Sequence, residues 1–147
     1  GVYYYYGWLE TAIAVVKDIL EVADKTASSF GLELVVSLKQ KRKPTAIHSQ
    51  IYLDFLAEES QRRQHFEICS PDVGIVDVIS PDCIVVSRPF TSAGLVARMG
   101  GVKSIYYDPT MTIIDNCPEE TGMTLIQGRS ALERTLSEHA KALGVTR

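Results

Sequence analysis

The sequence predicts an α/β protein: a doubly wound, mainly parallel six-stranded Rossmann-like sheet with helices on both of its faces. Short β-rich runs alternate with amphipathic helical patterns along the whole chain. Residues 32–38 (LELVVSL) form a continuous apolar run, which is typical of a strand buried on both faces. This alternation favours a parallel sheet with right-handed crossovers. We expect residues 1–147 to form a single domain that is one half or one module of a larger protein.

The first half of the chain contains its clearest helix, from Trp8 to about Phe30, after a β-rich run over residues 2–6. Apolar residues recur there at steps of three and four, and others widen the stripe, as in a helix packed on a sheet and on neighbours. The two sets are Leu9, Ile13, Val16, Leu20, Ala23 and Ala27, and then Ala12, Val15, Ile19 and Val22. Gly31 fits the end of this helix. The strand over residues 32–38, a weaker helix over 49–62 and a short strand over 65–69 follow.

The second half continues the alternation. Ser70-Pro71-Asp72 is a strong helix start, and that short helix ends near Ser80. Next come a strand over residues 83–86, a polar turn over 87–92, a helix over 91–99 and a strand over 103–107. Residues 108–122 are irregular, and residues 123–126 form a last short strand. Ser130-x-x-Glu133 reads as a capping box that opens a final helix to about Leu143.

Composition excludes several classes of protein. Hydrophobic residues make up 46% of the 147 residues and charged residues 22%, which is typical of a globular domain. The net charge of −3 gives no reason to expect nucleic acid as a partner. No apolar run is long enough for a membrane span, and residues 1–8 lack the features of a signal peptide. The three cysteines have no metal-like spacing, so we expect a reduced, cytoplasmic protein without a metal site.

Polar features converge on one edge of the predicted sheet. Ligands of such folds lie over the carboxyl ends of the strands, and a helix N-terminus there attracts phosphate. Cations and a helix N-terminus suit a nucleotide diphosphate or a nucleotide-sugar, while nearby carboxylates suit ribose or sugar hydroxyls. Each feature also has a structural reading: a solvated basic turn, a helix cap, a turn former or a surface acid pair. The features are Lys39, Lys41 and Arg42, then residues 87–92, Asp108-Pro109, and Glu119 with Glu120.

Common catalytic and cofactor motifs are missing. Gly7 is followed by Trp8 rather than by a glycine-rich turn, so binding of NAD or FAD is not expected. His48, His65 and His139 have no Ser, Cys or carboxylate at a spacing that suggests a triad. We expect His139 to be a surface residue of the last helix, and no catalytic residue is assigned.

The residues around the polar turn resemble a known family. Asp82, an apolar strand, Ser87-x-x-x-Thr91-Ser92-Ala93-Gly94, a helix ending in Gly100-Gly101 and the strand Ser104-Ile105-Tyr106-Tyr107-Asp108 follow one another. This order resembles the C-terminal, donor-binding domain of GT-B glycosyltransferases, above all the bacterial enzymes that build capsule and lipopolysaccharide sugars. Lys39-Gln40-Lys41-Arg42 is similar to the basic position that faces donor phosphate in that family. Gly94 departs from the acidic residue that many of its members carry.

The resemblance implies a nucleotide-sugar-binding domain that takes its donor as a substrate and needs no further cofactor. It implies an N-terminal acceptor-binding domain, or other modules of a full protein, as the partner, so the isolated domain would bind a donor but not transfer sugar. It also implies a cytoplasmic location and leaves open a peripheral association with the inner membrane. The implied diphosphate-binding residues are Lys39, Lys41, Arg42, Ser87, Arg88, Thr91, Ser92 and Ala93, and the candidate sugar or ribose contacts are Asp108, Glu119 and Glu120.

Two other functions fit the same pattern. Gly94 and the turn Arg88-Pro89-Phe90 favour a Rossmann-like interaction module without a catalytic role. An epimerase-like half-domain for UDP-sugars shares this half-fold, but its catalytic acids and histidine have no clear match here.

Overall fold

The computed structural model describes residues 8–38, 50–69, 72, 77, 79–80, 82–87, 98–111 and 124–146, with the side chains of 12–38 and 124–143 at the two ends. These residues form a mixed α/β structure of three helices and five strands. In chain order they are α1 (Trp8–Phe30), β1 (Val36–Leu38), α2 (Gln50–Arg62), β2 (Phe66–Ile68), β3 (Ile84–Ser87), β4 (Lys103–Asp108), β5 (Thr124–Gln127) and α3 (Arg129–Thr146).

The strands pair in parallel, as predicted, but in two small sheets. β1 pairs with β2, and β3, β4 and β5 form a three-stranded sheet in that order. The prediction of one six-stranded sheet is therefore wrong for the described residues, and its first strand, over residues 2–6, lies outside them. β1 and β2 align over three residue pairs. Their hydrogen bonds reach one residue beyond each end of β2: the Val36 N–H donates to the His65 carbonyl at 2.8 Å, and the Cys69 N–H donates to the Leu38 carbonyl at 2.9 Å.

The apolar run of residues 32–38 is not buried on both faces. Its residues alternate between exposed and half-buried along the chain, and the side chain of Val35 is 50% exposed. Only Val36–Leu38 is strand. Successive residues of an extended segment point to opposite faces, so the alternation means that one face is partly covered and the other is exposed. Most of the predicted helix after Ser70 and most of the predicted helix over residues 91–99 lie outside the described residues. Of the residues that the structure describes there, Asp77, Arg98 and Met99 are helical.

Helix α1 has the predicted bounds and lies between two apolar clusters. The helix ends at Phe30 and is followed by Gly31. The Leu32 N–H donates to the Ala27 carbonyl at 3.0 Å, a hydrogen bond that is common at the C-terminus of a helix. One face of α1 packs with α2, β1 and β2, and the next face packs with the three-stranded sheet and α3. The first cluster contains Ala12, Val16, Leu20, Tyr52, Leu56 and Phe66, and the second contains Val15, Val22, Ile105, Tyr107, Leu132 and Leu136.

Helix α3 begins two residues earlier than a capping box at Ser130 would allow. The Gly128 carbonyl accepts the first helical hydrogen bond from the Leu132 N–H at 3.2 Å, so Gly128 is the N-cap and Ser130 lies inside the first turn. Gly128 has a φ of 83°, a conformation that residues with a Cβ rarely adopt, so the turn itself needs glycine. The prediction of Ser130 as the cap is wrong because this glycine turn starts the helix directly after β5.

His139 of α3 is half-buried, contrary to its expected place on the surface. Its Nε2 lies 2.8 Å from the Asp82 carbonyl oxygen, which can only accept, so Nε2 carries the proton and donates. Burial lowers the pKa of His139 below its usual value, and Lys103 adds to this, while the carbonyl contact opposes it. This side chain joins the last helix to the segment that leads into β3.

We expect Leu20→Ala to lower the free energy of unfolding by about 2–5 kcal/mol, because the side chain is 2% exposed and its loss leaves a cavity between α1 and α2. Leu53→Ala is the matched control on α2: its side chain is 37% exposed, so it should cost no more than about 0.5 kcal/mol. Urea denaturation followed by circular dichroism measures both values. Equal losses would contradict the assignment of Leu20 to the core.

We expect the free energy of unfolding to decrease as the pH is lowered from neutral to mildly acidic values, because of His139. Its pKa is lower in the folded chain than in the unfolded chain, so the unfolded chain takes up the proton first as the pH falls. The contribution is complete above a pH of about 6.5, the unfolded value, and is lost as the pH falls from there toward the folded pKa. His139→Gln keeps an N–H donor but does not titrate, so its unfolding free energy should depend less on pH. Exposed His65→Gln is the control, and a slope that only this control flattens would refute the prediction.

Candidate functional site

Three polar residues end the three neighbouring strands of the larger sheet. β3 ends at Ser87, β4 at Asp108 and β5 at Gln127. In the parallel register Ser87 pairs with Tyr106, and Asp108 pairs with Gln127. The three side chains therefore lie at the carboxyl edge of one parallel sheet, which is where α/β folds bind ligands.

Asp108 organises this edge. Its side chain is 2% exposed, and its carboxylate accepts hydrogen bonds from two neighbouring segments. Oδ1 accepts from the Thr110 N–H at 2.9 Å and from the Thr110 hydroxyl at 2.6 Å, while Oδ2 accepts from Gln127 Nε2 at 3.3 Å. Its backbone carbonyl also accepts from the Gly128 N–H at 2.9 Å. Asp108 thus ties the turn after β4 to the start of α3, which agrees with its reading as a turn former.

The Ser87 hydroxyl is placed more loosely. The side chain is half-buried, and its Oγ donates to the Ile105 carbonyl at 3.5 Å, which is long for a bond between two oxygens. A hydroxyl that donates in this way can still accept through its oxygen. Ser87 is therefore only weakly held by β4, and its oxygen can accept a hydrogen bond from a second donor.

Tyr107 anchors α1 beneath the same edge. Its side chain is fully buried, and its hydroxyl donates to Asp18 Oδ2 at 2.7 Å. Burial raises the pKa of Tyr107 well above its usual value, and the bond to the Asp18 carboxylate raises it further. The phenol therefore keeps its proton at physiological pH and remains a donor.

The structure describes two of the predicted site residues, Ser87 and Asp108, and it brings them to one edge. The assignment of Asp108 to a ligand contact stays a prediction. Thr110 and Gln127 were missed. A threonine two residues after an aspartate is a known turn signal, whereas Gln127 gave none beyond its place at a strand end. The other predicted site residues lie outside the described residues: Lys39, Lys41, Arg42, Arg88, Thr91, Ser92, Ala93, Glu119 and Glu120.

Two negative findings bound the site. Within the described residues, no group of three His, Cys, Asp or Glu side chains is arranged to hold a metal ion. None of the helices described here combines the length and apolar character needed to cross a bilayer. Of the three cysteines, the two that the structure describes, Cys69 and Cys83, are free thiols.

These features define a parallel α/β domain whose polar residues gather at the carboxyl edge of its sheet. The family model described as "Polysaccharide biosynthesis PFTS motif protein" matches residues 1–136, and the chain belongs to this family. The four letters of its name occur here as Pro89-Phe90-Thr91-Ser92, which begins two residues after β3 ends at Ser87. No curated protein and no solved structure matches the chain.

Membership of this family supports a role in polysaccharide biosynthesis, in agreement with the process that the sequence resemblance implied. The family model does not address the GT-B architecture or the binding of a sugar donor. The motif in its name, however, contains Thr91 and Ser92, which the sequence resemblance assigned to diphosphate binding.

We expect Asp108→Ala to lower the free energy of unfolding by about 1–3 kcal/mol, because at least one partly buried donor, Gln127 Nε2, loses its acceptor. The amide resonances of Thr110 and Gly128 should move with it. Asp82→Ala is the control: this aspartate also lies next to a strand of the same sheet, just before β3, but its side chain is exposed. Asp108 would lose its organising role if urea denaturation gave both variants the stability of the parent chain.

Proposed function

We propose that this chain binds the nucleotide-sugar donor of a bacterial polysaccharide glycosyltransferase, as a donor domain of the GT-B type. One observation carries the proposal: in the sequence, Pro89-Phe90-Thr91-Ser92 begins two residues after the end of β3, and the neighbouring strand β4 ends in Asp108. Two polar segments after adjacent parallel strands are the usual seat of a nucleotide in α/β folds. The assignment of the family to polysaccharide biosynthesis supplies the class of donor.

The diphosphate is assigned to the segment after β3. Thr91 and Ser92 would bind phosphate oxygens through their hydroxyls, together with the backbone N–H of Ala93 and the nearby Ser87 and Arg88. Neutralisation of the diphosphate is assigned to the basic turn after β1, with Lys39, Lys41 and Arg42.

Asp108 acts indirectly in this scheme. Its carboxylate is buried and already accepts hydrogen bonds from Thr110 and Gln127. It would therefore support binding of the nucleotide-sugar mainly by positioning Thr110, which is exposed, and Gln127, which is half-buried. Glu119 and Glu120 are the remaining candidates for ribose or sugar hydroxyls. Asp108 is thus assigned to positioning, whereas Glu119 and Glu120 are candidates for direct contact with the ligand.

The reaction also requires groups from another domain. In sugar transfer an acceptor oxygen forms a bond to the anomeric carbon while the bond to the nucleoside diphosphate breaks, and a base removes the proton of the acceptor. The residues assigned here hold the leaving group and stabilise its charge. The acceptor and the base are assigned to the partner domain, so we expect donor binding without turnover from this chain alone.

A second candidate is an interaction module without catalytic function. The burial of Asp108 favours it, because the carboxylate at this edge is spent on the fold rather than presented to a ligand. The two functions differ in one respect that is simple to measure, namely whether the edge binds nucleotides.

Nucleotide binding can be measured by titrating UDP, GDP, ADP and CMP into the isotope-labelled chain and following the backbone amides by NMR. We expect at least one nucleoside diphosphate to shift the amides of residues 88–94 and of Thr110. Failure of all four to move these amides at millimolar concentration would reject donor binding and leave the interaction module.

The double variant Lys41→Ala/Arg42→Ala should weaken binding of the nucleoside diphosphate by about 1–3 kcal/mol, or about 5–150-fold, through the lost charged hydrogen bonds. We expect these two charges to be exposed, so the free energy of unfolding should change by less than about 1 kcal/mol. Calorimetry with a diphosphate, a monophosphate and a nucleoside gives the comparison, and the effect should shrink in that order.

The matched control is Arg98→Ala/Lys103→Ala, two exposed basic residues near the amino end of β4, at the opposite edge of the sheet. It should leave diphosphate binding unchanged. Equal weakening for the nucleoside would mean that Lys41 and Arg42 act through the fold rather than on phosphate.

A further inference from the structure

A polar groove follows the contact between α1 and α3, outside the apolar cluster that they share. Its volume is about 480 Å³, within the range of ligand clefts. On α3 the lining residues recur at helical spacing, so one stripe of that helix faces the groove along several turns. That stripe contains Ser130, Arg134, Ser137 and Lys141.

Thr26 is the unusual residue of this groove. It continues the stripe of Val15, Ile19 and Val22 on α1, a face that is otherwise apolar and packs against α3. Its side chain is 4% exposed and lines the groove. Its hydroxyl has no hydrogen-bond partner among the residues that the structure describes. Thr135 of α3, by contrast, donates its hydroxyl to the Ala131 carbonyl at 2.9 Å.

A buried hydroxyl without a partner costs stability, and valine would fill the same space without that cost. The position therefore has a group that the fold does not use. A polar atom at the wall of a cleft can be satisfied by whatever occupies the cleft.

The charges of the groove are mixed. Lys25 donates to Glu133 at 3.3 Å across the two helices. Arg134, Glu138 and Lys141 also line the groove, and in the described part of the chain none of them forms an ion pair. The groove therefore offers cationic donors, a carboxylate acceptor and hydroxyls that can do both.

We infer that the α1–α3 groove binds a segment of saccharide: Arg134 donates hydrogen bonds to it, Glu138 accepts from it, and the Thr26 hydroxyl can do either. Each sugar hydroxyl donates and accepts, so it matches a wall that presents donors and acceptors side by side. An apolar ligand would leave these groups unpaired. An isolated phosphate would meet Glu133 and Glu138 as well as the cations, and repulsion by these carboxylates opposes it.

This inference goes beyond donor binding, because the groove lies between two helices and the proposed donor site lies at the strand edge. It would let a protein of polysaccharide biosynthesis hold a stretch of glycan while the sugar donor occupies the sheet edge. The two sites have different reporter amides, so each can fail without the other.

The test is an NMR titration of the labelled full chain with three neutral trisaccharides, maltotriose, cellotriose and chitotriose, and separately with inorganic phosphate. We expect at least one trisaccharide to shift the amides of residues 25–29 and 130–141 while phosphate does not. Thr26→Val should weaken that binding about 3–10-fold, the usual effect of one neutral hydrogen bond. The same variant should raise the urea midpoint of unfolding, because it removes the unsatisfied hydroxyl.

Thr135→Val is the matched control: it also replaces a threonine hydroxyl on this helix pair, but one that is already bonded. It should leave trisaccharide affinity unchanged and should not raise the urea midpoint. The inference is overturned if no trisaccharide shifts the groove amides, if phosphate shifts them equally, or if Thr26→Val binds as tightly as the parent chain. A lower urea midpoint for Thr26→Val would likewise overturn it, since the hydroxyl would then serve the fold.

Discussion

The rest of the structure depends on α1 serving two cores at once. Leu20 and Val22 lie two residues apart and are both almost fully buried, yet they belong to different clusters. Successive helical residues are rotated by about 100°, so a helix with two apolar stripes can cover two neighbouring surfaces. One stripe packs with α2 and the small sheet, and the other packs with the three-stranded sheet and α3. Since no backbone hydrogen bond joins the two described sheets, the packing of α1 supplies the continuity between them.

Polar contacts then fix α1 against its neighbours. The Tyr107 hydroxyl bonds Asp18 near the carboxyl edge, and Arg63 pairs with Asp24 on the side of α2. Arg63 also forms a hydrogen bond with the buried Glu59. Burial raises the pKa of Glu59, but the hydrogen bonds from Arg62 and Arg63 together lower it more, so the pKa lies below its usual value. Such buried charges contribute to specificity of arrangement when every partner is in place, and they are costly when one is removed. These contacts fix the orientation of α1 about its own axis, and α1 in turn packs against the sheet whose carboxyl edge Asp108 organises.

Much of this could be predicted from the sequence, because it follows from local periodicity. The bounds of α1, its broad apolar stripe and the parallel pairing of the strands all follow from the spacing of apolar residues and the alternation of elements. The division of that stripe between two clusters is visible only in the structure. The errors arose where neighbours decide. Residues 32–38 are mostly apolar but have only one covered face, on which Glu33 and Ser37 do not lie. The glycine turn at Gly128, rather than Ser130, starts α3, and the Asp82 carbonyl binds His139 in a half-buried position. Asp108 was found through its place at a strand end, whereas Gln127 is recognisable only once the register aligns it with Asp108.

The sharing of α1 has a consequence for synthesis of the chain. On the ribosome, α1 emerges well before the residues that cover its second stripe, since Leu132 follows Val22 by more than a hundred positions. At ribosomal speeds of about 5–20 residues per second, that stripe waits roughly 5–20 s for its partner. During this interval α1 can pack with the nearer α2 and β2 but still exposes Val15, Ile19 and Val22 to solvent. The nascent chain therefore exposes an apolar surface of the kind that chaperones bind. The yield of folded protein should depend on chaperone concentration more strongly than the stability of the finished fold suggests.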